Sequence, residues 1–150
     1  MIEIYPQLYI GSDDDAIRWN GVIIRAARDP WFKNLNLPKD HLWNETETAL
    51  TLNLVDADNV SYIPIPLIDR ALDFINEKIT KKRVLVHCNQ GHSRAPSIGF
   101  LYLLKYTDLL KNLSFEEAVE KYKTLYSWWT PNRGMALFCV FYYRKLSGVL

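Results

Sequence analysis

Val84-Leu85-Val86-His87-Cys88-Asn89-Gln90-Gly91-His92-Ser93-Arg94-Ala95-Pro96-Ser97 is the stretch from which the rest of the chain is read. An apolar, β-branched run ends at His87-Cys88, a short polar loop with one glycine follows, and Arg94 opens a segment with apolar residues at helical spacing. Strand, loop and helix in that order let loop N–H groups converge at a helix N-terminus, where unpaired donors and the helix dipole favour an oxyanion such as phosphate. A cysteine at the base of such a nest has its thiolate favoured by the same donors, by the dipole and by Arg94. The stretch therefore reads as a cysteine nucleophile in a phosphate-sized cradle made by Asn89, Gln90, Gly91, His92, Ser93 and Arg94. The plainer alternative is a buried structural cysteine at a strand end.

Outward from this loop, strand-like and helix-like segments alternate. Ile4 to Gly11 reads as one short strand closed by glycine. Ser12 then caps a helix whose first turn carries Asp13, Asp14 and Asp15. Three consecutive acids also suit a cation site, but no further ligand clusters with them, so capping is the simpler reading. Gly21 to Ala27 is a buried parallel strand broken at Asp29-Pro30. Residues 30–48 have no clean period and read as a long connection with aromatic anchors, the kind that often borders a site; His41 within it is a surface or packing residue. Ala49 to Val55 alternates as a third strand and ends at Asp56-Ala57-Asp58.

Helical spacing runs from Ile65 to Ile79, with Pro64 and Pro66 at its start, and Thr80 to Arg83 is a basic turn into the central strand. The helix after the cysteine loop runs to about Tyr106 and is apolar nearly all round, which places it at the centre. Ser114-Phe115-Glu116-Glu117 is a capping box opening a helix to about Tyr126. Trp128 to Gly134 leads into a last helix, Met135 to Lys145, with Cys139 as a packing residue. The expected fold class is α/β: a mostly parallel central sheet flanked by helices, with residues 1–150 as a single domain.

Composition narrows the function classes. Hydrophobic residues make up 49% and charged residues 23%, as in ordinary soluble globular proteins. A net charge of +1 gives no argument for nucleic acid or a membrane surface. No apolar run approaches a membrane span, and Met1 to Pro6 lacks the features of a signal peptide. His41, His87, His92, Cys88 and Cys139 show no metal-ligand spacing, so neither metal nor cofactor is expected. A nucleophilic Cys88 must stay reduced, which points to the cytoplasm.

His87-Cys88, five residues and Arg94 match the HCxxxxxR signature of the cysteine-dependent protein tyrosine phosphatase superfamily. Gly91 and the Ser93-Arg94 pair look most like the small dual-specificity phosphatases. The opening Ile4-x-Pro6-x-Leu8-Tyr9-x-Gly11 and the late Pro131-Asn132-x-Gly134 resemble further segments of that family, so the likeness covers roughly residues 4–145. The resemblance implies the same fold and a shallow site taking phosphotyrosine, and after it phosphoserine or phosphothreonine, on a phosphorylated protein.

In that reading Cys88 attacks phosphorus and Arg94 grips two phosphate oxygens through its planar fork. The amides of Asn89 to Arg94 hold the remaining oxygens, and Gly91 allows close backbone approach or positive φ. His87 orders the loop by hydrogen bonds, a role the resemblance supplies. The general acid is an aspartate facing the cysteine. Asp56 stands at the strand end, as the acid does in the resembled enzymes; Asp58 has the better spacing to the following helix. Both stay open, with Asp56 the first choice. Many relatives carry Ser or Thr directly after the arginine, where the hydroxyl helps the cysteine thiolate leave. Here that position is Ala95, so slow phosphoenzyme hydrolysis is expected unless Ser93 or Ser97 supplies the hydroxyl. Asn132 supports the site through the Pro131-Asn132-x-Gly134 element. Trp128, Trp129 and Tyr62 could wall the site, with core packing the simpler role for each.

Other readings share parts of this pattern. An RNA 5′-triphosphatase or phosphoinositide phosphatase uses the same mechanism, but the loop lacks the extra lysines expected for a highly anionic substrate. A rhodanese-type sulfurtransferase lacks the features of His87, Gly91 and Pro131-Asn132-x-Gly134. A catalytically dead phosphate-binding module is opposed by an intact Cys88, Arg94 and an available aspartate.

Overall fold

Pro6 divides the N-terminal segment in two. In the computed structural model, which describes residues 1–148, β1 (Ile2–Tyr5) and β2 (Leu8–Gly11) form an antiparallel hairpin. The single strand expected over residues 4–11 is thus two. Proline presets its own φ at the turn, and Gln7 takes a positive φ of 73°, with its N–H held by the Glu3 carboxylate at 2.9 Å.

The remaining strands are β3 (Val22–Arg25), β4 (Trp43–Glu45), β5 (Ala49–Leu52) and β6 (Val84–His87). They form one six-stranded sheet in the order β1-β2-β6-β3-β5-β4. The middle four strands are parallel, and both edge strands, β1 and β4, are antiparallel. β4 lies inside the stretch whose sequence shows no clean period; only three residues long, it offers too little alternation to detect. The same connection holds a turn of helix at Arg28–Phe32, a 3-10 turn at Lys33–Leu35 and a cis Asp29-Pro30 bond.

Alternation along the strands sorts the two faces of the sheet. Leu8, Ile10, Val22, Ile24, Leu50, Leu52, Val84 and Val86 face the main core. There they meet α2 (Ile65–Lys78), α3 (Arg94–Tyr106), α4 (Phe115–Leu125) and α5 (Arg133–Ser147). Ile23 and Leu85 face the other way, against α1 (Asp13–Ile17) and Trp19. α3 is buried from Arg94 through Leu103, as its apolar circumference requires. α4 starts at the expected box: the Glu117 N–H donates to Ser114 Oγ at 3.1 Å and the Ser114 N–H to the Glu117 carboxylate at 2.9 Å. Among the described residues, no helix is long and apolar enough to cross a membrane.

This topology places the central strand β6 between β2 and β3. The loop leaving its C-terminal end runs into α3, in the crevice where open α/β sheets bind ligands.

Candidate active site

The loop from Cys88 to Ser93 joins β6 to α3 and lines a cavity of about 210 Å³ with Asp56 and Arg94. Cys88 is buried at its floor, and Sγ accepts a hydrogen bond from the Ala95 N–H at 3.4 Å. Among the described residues, no hydrogen bond within the fold takes up the N–H groups of Asn89 to Arg94. Gly91 turns the loop at φ 77°, and its carbonyl accepts from the Tyr126 hydroxyl at 2.6 Å. A Cβ there would lie 3.0 Å from both the Gly11 carbonyl oxygen and the Tyr126 hydroxyl, so glycine is required by space as well as by φ.

Arg94 is 8% exposed and held at two corners of its fork. Nη1 donates to the Leu54 carbonyl at 3.0 Å and Nη2 to Asn89 Oδ1 at 2.7 Å. Its Nε is buried with no hydrogen-bond partner. Arg94 lines the cavity, and an orphaned buried charged donor is costly unless a partner takes it up.

Behind the floor lies a network that sequence reasoning missed. Buried His87 lies between Arg25, whose Nη1 is 3.3 Å from Nε2, and Asp13, whose Oδ1 is 3.2 Å from Nδ1. A guanidinium only donates, so Nε2 is the acceptor and Nδ1–H donates to Asp13. The ring is therefore neutral. Burial, reinforced by the charge of Arg25 and opposed by Asp13, lowers its pKa from 6.5 to about 4. Asp13 also accepts from Trp31 Nε1 and from Asn89 Nδ2, each at 2.9 Å, and the Arg25 guanidinium stacks over the Trp31 ring at 4.1 Å. Asp13 is thus more than a helix-cap acid. The Ser12 N–H donates to the Asp15 carboxylate at 2.9 Å, so the capping contact falls to Asp15 and the Asp13 carboxylate is available for the cysteine loop. A carboxylate in a first helical turn carries no signal in the sequence that separates these duties.

On the opposite wall, the two candidate acids differ in position. Asp56 lines the cavity, and its Oδ1 accepts from Ser93 Oγ at 2.9 Å. Asp58 is exposed and is not among the residues lining this cavity. The α5 N-terminus pins the loop between them: Asn132 Nδ2 donates to the Asp56 carbonyl at 2.9 Å and the Gly134 N–H to the Ala57 carbonyl at 3.1 Å. A Cβ on Gly134 would lie 2.1 Å from that Ala57 oxygen, so the glycine in Pro131-Asn132-x-Gly134 is there for close approach.

Ser93 Oγ also accepts from the Asn132 N–H at 2.8 Å. Ser97 faces away from the cavity into the core, where its Oγ accepts from Trp129 Nε1 at 3.0 Å. Neither hydroxyl bonds to Cys88. Trp129 is core, as its simpler reading had it. Trp128 is 60% exposed and stacked at 5.7 Å on His92, one of the cavity-lining residues. Tyr62 is exposed on the turn before α2 and does not line the cavity.

Fold and floor together define an α/β domain with a cysteine–arginine oxyanion loop. Residues 31–142 match the family described as "Dual specificity phosphatase, catalytic domain", and the chain belongs to that family. It is 34% identical over 134 residues to human dual specificity protein phosphatase 12, covering 83% of this chain and 36% of that protein. Human DUSP28 superposes with a TM-score of 0.64 at 18% identity, over 99% of both chains. DUSP15 superposes with a TM-score of 0.67 at 20% identity, over 100% of this chain and 96% of that one. The chain spans only part of the curated relatives it matches, 16% of mouse dual specificity protein phosphatase 8 and 51% of a probable dual specificity phosphatase of Dictyostelium discoideum.

Proposed function

We propose that residues 1–150 act as one catalytic domain that hydrolyses phosphate monoesters on phosphorylated proteins, phosphotyrosine first and phosphoserine or phosphothreonine second. Family membership supports the activity class. The observation that carries the chemistry is Arg94 in the wall of the cavity that Cys88 floors, with its Nε–H unpartnered.

Each residue has a defined task in this reading. The Cys88 thiolate attacks phosphorus, and a cysteinyl-phosphate forms as the ester oxygen leaves. Arg94 Nε and the free N–H groups of Asn89 to Arg94 take the charge spread over the equatorial oxygens. Asp56 protonates the leaving oxygen; in the second step it takes a proton from water, which attacks phosphorus and releases phosphate and the thiolate. Asp58 is left as a solvated loop residue. His87 and Asn132 are positioning residues, the first for the cysteine loop and the second for the Asp56 loop. No resident metal or cofactor enters these steps. Both cysteines are free, which supports a reducing, cytoplasmic setting for the thiolate.

Hydrolysis of a small aryl phosphate tests the reading. Turnover is expected to be inhibited by vanadate and abolished in Cys88→Ser. A general acid must hold its proton, so the rate falls on the alkaline side as that proton is lost. Asp56→Asn is expected to lose most turnover and to flatten that alkaline limb, while Asp58→Asn changes little. Full turnover in Cys88→Ser overturns the mechanism, and the reverse result for the two aspartates moves the acid to Asp58.

A further inference from the structure

The Asn89 side chain crosses from the start of the cysteine loop to its end, where Arg94 Nη2 donates to Asn89 Oδ1 at 2.7 Å. A guanidinium only donates, so this contact decides which end of the amide is oxygen. The opposite end is then fully occupied. Asn89 Nδ2 carries two hydrogens and donates to Asp13 Oδ2 at 2.9 Å and to the Asp29 carbonyl at 3.1 Å. The Asp13 N–H closes the contact from the other side, donating to the Asn89 carbonyl at 3.3 Å. Turning the amide over would set NH2 against the Arg94 fork and oxygen against a carboxylate and a carbonyl. Arg94, Asp13 and Asp29 therefore hold it in one orientation.

Asp13 divides its oxygens between separate duties. Oδ1 accepts from His87 Nδ1 at 3.2 Å and from Trp31 Nε1 at 2.9 Å, whereas Oδ2 accepts from Asn89. Arg94 itself forms no ion pair among the described residues. Its fork is held by two neutral oxygens, the Leu54 carbonyl on Nη1 and Asn89 Oδ1 on Nη2. Guanidinium is planar and rigid, so fixing both Nη atoms also fixes the direction of Nε–H. A carboxylate bonded directly to the fork would offset part of the charge that attracts an anion. An amide placed between them passes on the orientation and keeps the two charges apart.

We infer that Asp13 and Asn89 form a relay that sets the plane of the Arg94 guanidinium, and with it the direction in which Nε–H meets the phosphate. The inference rests on the phosphatase reading above. The Asp13 carboxylate and the Asn89 amide are positioning groups, since both act through Arg94.

Asp13→Asn separates the two duties of Asp13. The introduced amide oxygen takes the place of Oδ1 and keeps the His87 and Trp31 contacts, while the introduced NH2 faces the NH2 of Asn89 and breaks the relay. Orthovanadate affinity and kcat/KM for 4-nitrophenyl phosphate are expected to fall together by about tenfold, the loss of one hydrogen bond to a charged group. Asn89→Asp sets a second carboxylate against Asp13 and is expected to lose about tenfold or more, because like charges in contact repel. The double variant Asp13→Asn/Asn89→Asp reverses the direction of the broken hydrogen bond: the introduced NH2 donates to the introduced carboxylate, whose other oxygen still accepts from Arg94. It is expected to bind orthovanadate more tightly than either single variant, with a residual loss from the new carboxylate facing the Asp29 carbonyl. A merely structural role for Asp13 gives losses that add, leaving the double variant weakest. That result, or single variants with wild-type orthovanadate affinity, overturns the relay and leaves the phosphatase standing. Where Asp13→Asn does not fold, the double variant is compared with Asn89→Asp alone: tighter binding supports the relay and equal or weaker binding overturns it. A wild-type protein that neither binds orthovanadate nor hydrolyses the aryl phosphate removes the phosphatase reading itself.

Discussion

The floor and the rim of the cavity are built in opposite ways. On the floor, His87, Cys88 and Arg94 are buried, and both ring nitrogens of His87, the Cys88 sulfur and both Nη atoms of Arg94 have partners inside the fold. On the rim, the Asp56 and Trp128 side chains are exposed and held by one contact each: the Ser93 hydroxyl on Asp56, the stacked His92 ring on Trp128. A buried and over-determined floor holds its geometry before any anion arrives, and its cost is borne in folding stability. An exposed rim can adjust to substrate but contributes little to the fold. Changes on the floor should therefore alter chemistry and stability together, whereas changes on the rim should alter chemistry alone.

Arg94→Lys gives the sharpest break. A lysine has one ammonium and cannot hold the Leu54 carbonyl, Asn89 Oδ1 and a phosphate oxygen together. Loss of the preorganised donor is expected to cost about 10²- to 10³-fold in kcat, as removal of one oxyanion donor does elsewhere. Denaturation of the same variant should show lowered stability, because the Leu54 and Asn89 acceptors lose a buried partner. A variant with wild-type stability and lost turnover would show that the floor is less coupled to the fold than its contacts imply.

His87 puts the same coupling on a pH axis. Its pKa falls from 6.5 to about 4 in the fold, so between those values the unfolded chain binds a proton that the native protein refuses. Stability is then fully present above about pH 6.5 and drains away as pH falls toward 4. At 1.36 kcal/mol per unit, the loss is about 3 kcal/mol across that window. Denaturant melts from pH 7 to pH 4 check this against His87→Asn, whose side-chain N–H can occupy the Nδ1 position. That variant starts from lower stability, and its curve is expected to be flatter by about the same 3 kcal/mol, leaving only the carboxylate contribution. Parallel curves would mean that His87 keeps its ordinary titration and that the Arg25–His87–Asp13 chain is not closed.

Gly134→Ala tests the rim. The new Cβ meets the Ala57 carbonyl at 2.1 Å, a backbone atom that cannot rotate aside, so the Asp56 loop must move. A misplacement of about 1 Å at a reacting group costs on the order of 10²-fold, and a smaller shift about tenfold. Vanadate affinity should stay close to wild type because the floor is untouched. Equal loss of vanadate binding and turnover would mean that floor and rim are one unit.

The same division governs what could be read from the sequence. The floor occupies consecutive positions from His87 to Arg94, and strand, loop and helix each leave a local pattern there. The Asn132 and Gly134 supports were legible because they form a short motif next to a helix start. Asp13, Arg25 and Trp31 were not, because they reach the loop across as many as 76 residues of chain and look locally like cap, strand and anchor. Spacing alone offers Ser97 as a hydroxyl donor, but the rotation of α3 carries it to Trp129. The N-terminal hairpin had a visible sign in Tyr5-Pro6-Gln7, but proline followed by glutamine is not one of the glycine or asparagine pairs by which tight hairpins are usually recognised.

Ala95 gives the smallest expected effect and the finest comparison, since it sits where the floor passes into α3. In the fold the sulfur accepts one hydrogen bond, from the Ala95 N–H. The nearby hydroxyls are engaged elsewhere, Ser93 with Asp56 and Asn132, Ser97 with Trp129. A thiolate leaving from the cysteinyl-phosphate thus meets no hydroxyl, and breakdown of the intermediate is expected to limit turnover. With an aryl phosphate that has a good leaving group, rapid mixing should show a burst followed by a slower steady rate. Ala95→Ser places a hydroxyl beside the sulfur. A hydrogen bond to a charged group contributes about 1.5–3 kcal/mol at best, so a crowded, fully buried serine is expected to raise the steady rate about tenfold or less and to shrink the burst. Linear release from time zero in the wild-type protein would show that one backbone N–H is enough for the sulfur to depart.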